Sequence, residues 1–208
     1  MATEGGGPPE EIDIGEERDE RELDAQEKAR RRVALAQIRQ YPDVVLRMRA
    51  NEVEQFDDDL ARLADKMAHL MRDAHGVGLA ATQVGVLQRL FVFQARDEED
   101  VTAIVNPEIT KRSSGVAVAD EGCLSLQGVL VPVERALDVT VEGQDVTGAP
   151  LRLELDEMDA RVVQHEIDHL DGVLMLDRLD KATRKQAMRE LREQGMGVLT
   201  PGGRKHAL

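Results

Sequence analysis

The sequence predicts an α+β fold in which antiparallel or mixed β-sheets pack around a central helix, with further helices toward both ends of the chain. Three observations support this fold class. Two segments, near 56–74 and 156–170, carry apolar residues at helical spacing, and short β-rich runs lie between 89 and 155. Those runs follow one another instead of alternating with the helices, which is typical of α+β proteins.

The first helix is predicted from a stripe of apolar residues at spacings of three and four. The stripe consists of Phe56, Leu60, Leu63, Ala64, Met67, Leu70, Met71 and Ala74. Asp57–Asp59 place negative charge near its start, where the helix dipole favours it, and Gly76 is expected to end it. A second helix is expected over 156–170 with Gly172 as its stop, and a last one over about 181–194.

Strands are predicted for short runs rich in β-branched and aliphatic residues. The runs are 89–94, 101–105, 129–133, 137–141 and 151–155. The turn-forming stretch EGQDVTG separates the last two. Because aromatic residues make up only 2% of the chain and Trp is absent, we expect an aliphatic core.

The two ends of the chain differ from its body. Residues 1–32 contain Gly and Pro clusters and 11 acidic against 6 basic residues, so we expect an acidic extension that is disordered or loosely helical. Residues 33–195 are expected to form one domain, and 196–208 a flexible tail.

Composition excludes several classes of function. The net charge of −14 argues against non-specific nucleic-acid binding, and nothing indicates specific DNA binding. No apolar run approaches the 18 or so residues of a membrane span, and the N-terminus lacks the apolar core of a signal peptide. Cys123 is the only cysteine, so no intramolecular disulfide can form, and we expect a reducing cytoplasm.

The segment QHEIDHLDG, 164–172, contains the pattern H-E-x-x-H on the predicted second helix. His165 and His169 lie four positions apart and therefore on one helix face, where two imidazoles can bind a metal ion. Glu166, between them, is placed to take a proton from water at that ion. A single histidine on a helix is usually structural, but the pattern of three residue types favours a metal site.

The third ligand has to come from elsewhere in the chain. Downstream of His169, the remaining histidine is His206 in the expected tail, and Glu190 and Glu193 lie in a charge-rich helix. Upstream, Cys123 lies in EGCLS next to a glycine and just before a predicted strand. A lone cysteine is usually a small buried side chain, but a thiolate here would complete a Cys-His-His set with a fourth position open, the arrangement of catalytic sites.

A third stretch, GVGLAATQVG, spans 76–85. On its own it is best interpreted as a helix cap followed by a packed turn of small residues. It is not a nucleotide-binding loop, because Ala81 stands where G-x-G-x-x-G requires its third glycine and no strand is predicted before it.

Taken together, GVGLAATQVG, EGCLS and QHEIDHLDG resemble the three signature motifs of the peptide deformylases. The resemblance runs from about Ile38, through YPDVVLR and AIVNPEI, to about Arg192. It implies that 33–195 form a catalytic domain that removes the formyl group from the N-terminal formyl-methionine of nascent polypeptides and releases formate. It also implies an Fe²⁺ site in which Zn²⁺, Ni²⁺ or Co²⁺ can replace iron.

Residue by residue, the resemblance makes Cys123, His165 and His169 the metal ligands. It makes Glu166 the general base and acid for attack of a metal-bound hydroxide on the formyl carbon. It places the stabilisers of the developing oxyanion on the Gln83 side-chain amide and the Leu124 backbone N–H.

The resemblance also implies where the peptide binds. Its backbone is expected along Val77 and Gly78, and the methionine pocket is expected to be lined in part by Met158, Arg161 and Val162. One departure is that many members have a proline-containing turn after EGCLS, whereas this chain has SLQG, with Gln127 in that place. The shape of this loop on the substrate side is therefore expected to differ.

The last predicted helix is basic. Residues 178–208 carry 8 bases and 3 acids, a net charge of +5, on an otherwise acidic protein. This pattern is typical of a solvated helix face, but it also fits contact with the ribosome, which the resemblance suggests for the C-terminal helix.

Two other functions use the same H-E-x-x-H pattern. A metallopeptidase would need a third ligand downstream of His169, which the sequence lacks, and Cys123→Ala would leave its metal bound. A structural metal or interaction domain would be indifferent to Glu166→Ala, and the predicted open coordination position argues against it.

Overall fold

The computed structural model describes residues 24–94 and 100–193. The α+β fold class is confirmed. The helices are α1 (Ala25–Leu35), α2 (Asp58–Asp73), α3 (Glu157–Leu170) and α4 (Lys181–Glu193). The strands are β1 (Gly78–Ala80), β2 (Leu90–Phe93), β3 (Thr102–Arg112), β4 (Val116–Glu121), β5 (Val131–Ala136), β6 (Asp138–Gln144) and β7 (Pro150–Asp156). Short 3-10 helices span Val44–Arg47, Ala81–Val84 and Met175–Asp177. Among the described residues, no helix is long and apolar enough to cross a membrane.

The strands form two antiparallel sheets. The larger has five strands in the order β1-β2-β3-β6-β7, and the smaller pairs β4 with β5. Every neighbouring pair of strands is antiparallel. Two of these strands, β1 and β4, were not expected from the sequence. In β4 the exposed positions include Val116 and Val118, so the period-2 alternation of apolar and polar residues is absent.

The larger sheet lies between two helices. Phe91 and Phe93 of β2 pack into the same buried cluster as α3, whereas Leu90 and Val92 pack into the cluster that contains α2. This division follows from the alternation of side chains along a strand. Because both sheet faces are covered, β2 is buried at every position, and its sequence is a continuous apolar run, LFVF.

Helix α2 forms where the apolar stripe predicted it, but the residue that ends it is different. His75, not Gly76, adopts the left-handed conformation after the helix, with φ of 61°. The N–H of Gly76 donates to the carbonyl of Met71 and that of His75 to Arg72, the hydrogen-bond pattern of a Schellman motif. The missing side chain at Gly76 instead leaves room for Leu124, whose Cδ1 would lie 2.7 Å from a Cβ at that position.

Helix α3 packs against β1, β2, β5, β6 and β7, so the expected central helix is confirmed. It ends at the expected stop: Gly172 has a φ of +73°, and the N–H of Val173 donates to the carbonyl of Asp168. A Cβ at Gly172 would lie 2.6 Å from the carbonyl oxygen of Arg47, so space as well as backbone conformation requires glycine.

Helices α1 and α4 lie at the two ends of the described chain, close to the expected domain boundaries. Helix α1 runs across the boundary between 32 and 33, and its Ala34 is buried in the cluster that contains α2. Helix α4 buries Ala187 and Leu191 against β5 and Met175–Asp177. The tail 196–208 and the first part of the extension lie outside the described residues, as does Gln194. The domain boundaries therefore remain predictions.

Candidate metal centre and active-site cleft

Helix α3 presents two histidines to one side. His165 and His169 are one turn apart, and their ring centroids are 4.9 Å from each other at an interplanar angle of 75°. His169 is buried and His165 is nearly so. The four-residue spacing in the sequence therefore brings both imidazoles together, and His165 lines a cleft.

Cys123 joins the histidines from the loop between β4 and β5. Its Sγ lies 3.2 Å from Nε2 of His169, and one ligand atom from each of Cys123, His165 and His169 lies within 4.8 Å of the other two. The Ser125 N–H donates to the same sulfur at 3.4 Å, and the Gln83 Nε2 at 3.7 Å. Both contacts bring an N–H donor to the sulfur atom that would bind a metal ion.

The spacing of this triad suits a tetrahedral metal ion. With metal–sulfur bonds of about 2.3 Å and metal–nitrogen bonds of about 2.0–2.1 Å, the ligand atoms lie about 3.4–3.6 Å apart. The distance of 3.2 Å between Cys123 Sγ and His169 Nε2 is slightly shorter than these values, and all three ligand atoms lie within 4.8 Å of one another. A donor set of one thiolate and two imidazoles also fits a borderline-soft divalent transition metal.

A buried carboxylate orients the first histidine. Glu121 Oε2 accepts a hydrogen bond from His165 Nδ1 at 2.9 Å, which leaves Nε2 of that ring for a metal. Glu121 is in turn held by Arg135 Nε and Nη2, at 2.8 and 2.9 Å, and by Arg161 Nη1 at 3.0 Å. Burial alone would raise the pKa of Glu121, but the hydrogen bonds from Arg135 and His165 hold that pKa far below its usual value.

The two histidines have opposite electrostatic surroundings. Burial lowers the pKa of His165, but the hydrogen bonds and charges of Cys123 and Glu121 outweigh burial and raise that pKa well above its usual value. For His169, burial and the neighbouring His165 both lower the pKa. Within the described residues, Nδ1 of His169 is buried without a hydrogen-bond partner.

A charged network extends from Glu121 toward α4. Arg135 joins the two acidic groups, because its Nη1 donates to Asp168 on α3 while its other nitrogens hold Glu121. Asp168 also accepts from Arg178 Nε at 3.0 Å, just before α4 begins. Arg135 is only 5% exposed, so the network is buried. Its contacts link Glu121, beside the metal centre, to Arg178 in the C-terminal part of the domain.

Glu166 faces the cleft next to β1. Its side chain is 4% exposed, and burial raises its pKa to about 7. A Cβ at Gly78 would lie 2.3 Å from Glu166 Oε1, so glycine at that position makes room for the carboxylate. In the described part of the chain, Oε2 of Glu166 has no hydrogen-bond partner, which leaves this oxygen able to take a proton.

Gln83 and Leu124 flank the cysteine. The Gln83 Oε1 accepts the Ala80 N–H at 2.8 Å, and this contact directs Nε2 toward Ser125 Oγ at 3.1 Å and toward the Cys123 sulfur. Leu124 directly follows the cysteine and lines the cleft, and its carbonyl accepts from Gln40. Both predicted oxyanion stabilisers therefore lie beside the triad.

The predicted peptide-binding edge is strand β1, which lies at one side of the larger sheet. The Val77 carbonyl accepts from the Gln94 N–H, so the backbone groups of Val77 face β2. Since successive residues alternate in an antiparallel ladder, the N–H and C=O of Gly78 point the other way, as does the Ala80 N–H that reaches Gln83. The side of Gly78 that faces away from β2 is therefore the open edge.

Of the three residues predicted for the methionine pocket, two line the cleft and one does not. Arg161 and Val162 line the cleft. The Arg161 guanidinium is held by Glu121, Val133 O and Ala117 O, so it forms part of the wall. Met158 does not line the cleft, but packs against the cluster between α3 and the larger sheet.

Several residues of this site were missed in the sequence. Glu121 is the first residue of EGCLS, but no role was predicted for it. Arg135 could have been found from the alternation in β5, because Val131 and Val133 are buried and Arg135 continues their side of the strand. Asp168 lies on the buried face of α3, where a carboxylate requires a cationic partner.

The family model described as "Polypeptide deformylase" matches residues 35–185. A peptide deformylase of Thermodesulfovibrio yellowstonii is 41% identical over 156 residues, covering 74% of this chain and 94% of the relative. A peptide deformylase of Alkalilimnicola ehrlichii is 46% identical over 161 residues, covering 76% and 90%.

Solved structures give the same result. A crystal structure of a peptide deformylase from Legionella pneumophila aligns with a TM-score of 0.72 at 42% identity, covering 76% of this chain and 94% of that one. A peptide deformylase from Thermus thermophilus aligns with a TM-score of 0.71 at 46% identity, covering 76% and 93%.

Proposed function

The chain belongs to the polypeptide deformylase family, and we propose that Cys123, His165 and His169 hold the metal ion with which it removes the formyl group from the N-terminal formyl-methionine of nascent polypeptides. The observation that carries this proposal is the convergence of three ligand atoms within 4.8 Å, beside the buried Glu166. The thiolate comes from a loop distant in sequence from α3, so only the fold brings the set together.

The metal we propose is Fe²⁺, with Zn²⁺, Ni²⁺ or Co²⁺ able to replace it. The mixed thiolate and imidazole ligands suit these ions better than Mg²⁺ or Ca²⁺, which prefer oxygen ligands. A divalent cation held by these residues supplies a Lewis acid that lowers the pKa of a water molecule and polarises the formyl carbonyl.

Glu166 is the proposed general base and acid. Its pKa of about 7 lies close to neutral pH, where a carboxylate exchanges protons most effectively. The carboxylate takes a proton from the attacking water, and the resulting carboxylic acid gives it to the amine nitrogen as the bond to the formyl carbon breaks. The products are formate and a free N-terminal amine, and Glu166 is regenerated.

Gln83 and Leu124 are the proposed stabilisers of negative charge on the formyl oxygen. The Ala80 N–H holds Gln83 Oε1, so the amide presents Nε2 toward Cys123 in a fixed orientation. Fixed donors of this kind contribute roughly 10²–10³-fold in rate, because they need no reorganisation when the charge develops.

We propose that the substrate backbone pairs with the open edge of β1 at Gly78, with Val77 flanking it. Val162 and the stem of Arg161 would form part of the methionine pocket. Met158 would act indirectly, by packing beneath that wall, since it lies in the cluster between α3 and the sheet.

Formate release tests this function most directly. Anaerobically purified protein is expected to release formate from formyl-Met-Ala-Ser, but not acetate from acetyl-Met-Ala-Ser, and to leave the internal peptide bonds intact. Cys123→Ala should lose both the metal and the activity. Retention of metal and cleavage of internal bonds by that variant would indicate a metallopeptidase instead.

We also propose that α4 contacts the ribosome, with support from the exposed basic residues Lys181, Lys185 and Arg189. Changing all three to Glu should reduce co-sedimentation with ribosomes and leave formate release unchanged. Arg62→Glu with Lys66→Glu, on the exposed side of α2, is a control that reverses two basic charges elsewhere on the surface. Equal co-sedimentation of both variants and wild type would eliminate this contact.

The proposed limits of the catalytic domain are 33–195, between the acidic extension 1–32 and the tail 196–208. The match of the family model to 35–185 supports these limits. We propose a reducing cytoplasm as its location, with support from the single cysteine and its role as a metal ligand.

A further inference from the structure

The segment 39–41 connects the two loops that carry the proposed oxyanion stabilisers. The Arg39 N–H donates to the carbonyl of Gln83 at 2.7 Å. Two residues later, the Tyr41 N–H donates to the carbonyl of Ser125 at 2.9 Å. Both contacts are made by backbone groups, so they do not depend on the side chains that the segment carries. They fix its position relative to the two loops.

Gln40 adds a side-chain contact between these two backbone contacts. Its Nε2 donates to the carbonyl of Leu124 at 3.0 Å and to the carbonyl of Ile38 at 3.2 Å. Among the described residues, Oε1 of the same amide is buried without a hydrogen-bond partner. The Gln40 side chain therefore serves as a donor at this position, and its acceptor oxygen is not used.

The Leu124 carbonyl belongs to the central peptide of a tight turn. The Leu126 N–H donates to the carbonyl of Cys123 at 2.9 Å, which closes a β-turn over 123–126. That hydrogen bond holds the ends of the turn, but it does not hold the central peptide, and turn types I and II differ in the orientation of this peptide. Gln40 supplies a hydrogen bond to it from outside the turn.

The central peptide also carries the N–H that reaches the cysteine sulfur. In a planar trans peptide, the C=O and N–H bonds point in nearly opposite directions. With the Leu124 carbonyl held by Gln40, the Ser125 N–H points the other way, to Cys123 Sγ at 3.4 Å. Gln40 therefore acts across a single peptide bond on a donor to the atom that would bind the metal.

The preceding peptide carries the Leu124 N–H, the proposed stabiliser of the formyl oxygen. The carbonyl of this peptide, on Cys123, accepts from Leu126 inside the turn, so the Leu124 N–H points out of the turn. Leu124 thus lies between two peptides, one held by the turn itself and the other by Gln40. Its N–H keeps one direction as long as both hydrogen bonds are present.

We propose that Gln40 is a positioning residue for deformylation. By holding the turn 123–126, it aims the Leu124 N–H at the formyl oxygen and the Ser125 N–H at the cysteine sulfur. This inference rests on the proposed function. Loss of the contact should loosen the turn without unfolding the domain, since the backbone contacts of segment 39–41 remain. Because the Leu124 donor acts on charge that develops in the transition state, kcat should fall roughly threefold to tenfold while KM changes little.

The kinetic test removes the donor and then restores it in the metal-loaded full-length protein. Gln40→Met has a similar volume and cannot donate, and Gln40→Asn keeps the amide on a side chain one methylene shorter. Both should lower kcat for formyl-Met-Ala-Ser at nearly unchanged KM. Gln40→Lys, whose ammonium group only donates, should keep most of the wild-type kcat. Gln37→Met, the same substitution at an exposed position just after α1, is the matched control and should equal wild type.

The cobalt-loaded protein gives a readout that does not depend on turnover. Its absorption spectrum contains a charge-transfer band from the cysteine sulfur to Co²⁺, and hydrogen bonds to the sulfur raise the energy of that band. The band should move to lower energy in Gln40→Met and Gln40→Asn. It should keep the wild-type position in Gln40→Lys and Gln37→Met. A role of Gln40 in stability alone would leave the band unchanged in every folded variant.

The outcomes separate this inference from the proposed function. Absence of formate release by wild type contradicts the function itself. Normal release by wild type, with the same kcat and the same band position in Gln40→Met, contradicts the role of Gln40. An equal loss of kcat in Gln40→Met and Gln40→Lys also contradicts it, because the donor would then not matter. If Gln40→Met fails to fold, the comparison of Gln40→Asn with Gln40→Lys decides the question in the same way.

Discussion

Helices α2 and α3 are of similar length, 16 and 14 residues, but α2 buries apolar side chains alone whereas α3 buries polar ones as well. The buried face of α2 is entirely apolar: Leu60, Ala64, Met67, Leu70 and Met71. The buried face of α3 includes Arg161, Gln164, Glu166, Asp168 and His169 beside its apolar residues. One helix supplies stability and the other supplies chemistry, and the sheet between them joins the two.

Most polar groups of α3 are satisfied by other elements. The Gln164 amide accepts the Ala136 N–H and donates to the Ala136 carbonyl, and Asp168 binds Arg135 and Arg178. The exceptions among the described residues are Glu166 Oε2 and His169 Nδ1. Unpaired buried polar atoms destabilise the fold, so on α3 this cost falls on the group proposed to move protons and on one of the proposed metal ligands.

The largest expected effect comes from Glu166→Gln. Removing the base should lower kcat by at least about 10²–10⁴-fold, because proton transfer at a positioned side chain contributes that much. The amide has the same shape, so the metal content should stay the same. Parallel measurement of formate release and bound metal checks this. Activity within tenfold of wild type would show that another group moves the proton.

The same variant should reveal the cost of burying Glu166 in metal-free protein. Its folded-state pKa is raised from 4.5 to about 7, so between these values the folded state holds a proton that the unfolded state has released. Stability due to this group therefore falls as the pH rises through that window, by up to about 3 kcal/mol. The difference in the free energy of unfolding, Glu166→Gln minus wild type, should therefore be larger at pH 8 than at pH 4. Urea unfolding at both pH values, with chelator present, measures the difference.

Met67→Ala tests the opposite helix. Met67 is 0% exposed at the centre of the α2 stripe, and truncating a buried Met costs about 2–5 kcal/mol. The free energy of unfolding should drop by that amount, while kcat at a temperature where the variant is folded stays within twofold. Lys66→Ala, at the adjacent exposed position, should change neither. A large loss of kcat in Met67→Ala would show that α2 also positions the site.

The contrast between the helices explains what could be predicted from sequence. The buried face of α2 could be predicted from periodicity alone, because an apolar side chain needs only to be buried and does not require a specific partner. For α3, H-E-x-x-H indicated two ligands, but Glu121 and Arg135 come from β4 and β5, and only the fold brings them to His165.

Two details required the fold as well. The end of α2 was assigned to Gly76, since glycine is the usual left-handed residue, yet His75 takes that conformation and Gly76 provides room for Leu124. The burial of Arg31 could not be foreseen, because residues 1–32 were expected to form a disordered or loosely helical extension. This burial depends on the packing of α1 against α2, which no local pattern reveals.

Glu121→Gln tests the polar support of α3. The carboxylate that orients His165 would become a neutral amide next to Arg135, so metal affinity is expected to fall about 10–100-fold. Glu134→Gln, at an exposed position on β5, is the matched control. Competition with a metal-sensing chelator gives the affinity without reference to activity. Equal affinity in the two variants would show that His165 is oriented by packing alone.

The smallest effect concerns the start of α2. The Asp57 side chain accepts hydrogen bonds from the N–H groups of Asp59 and Leu60, both at 3.0 Å. Asp57→Ala should therefore lower stability by about 1 kcal/mol, the usual value of such a cap. Asp57→Asn keeps the acceptor and should lose only the smaller contribution of the charge near the helix dipole. Since the cap lies on the helix that supplies stability, thermal unfolding should shift for Asp57→Ala while kcat and metal affinity stay at wild-type values. A change in either would mean that the two helices are coupled more tightly than their separate clusters imply.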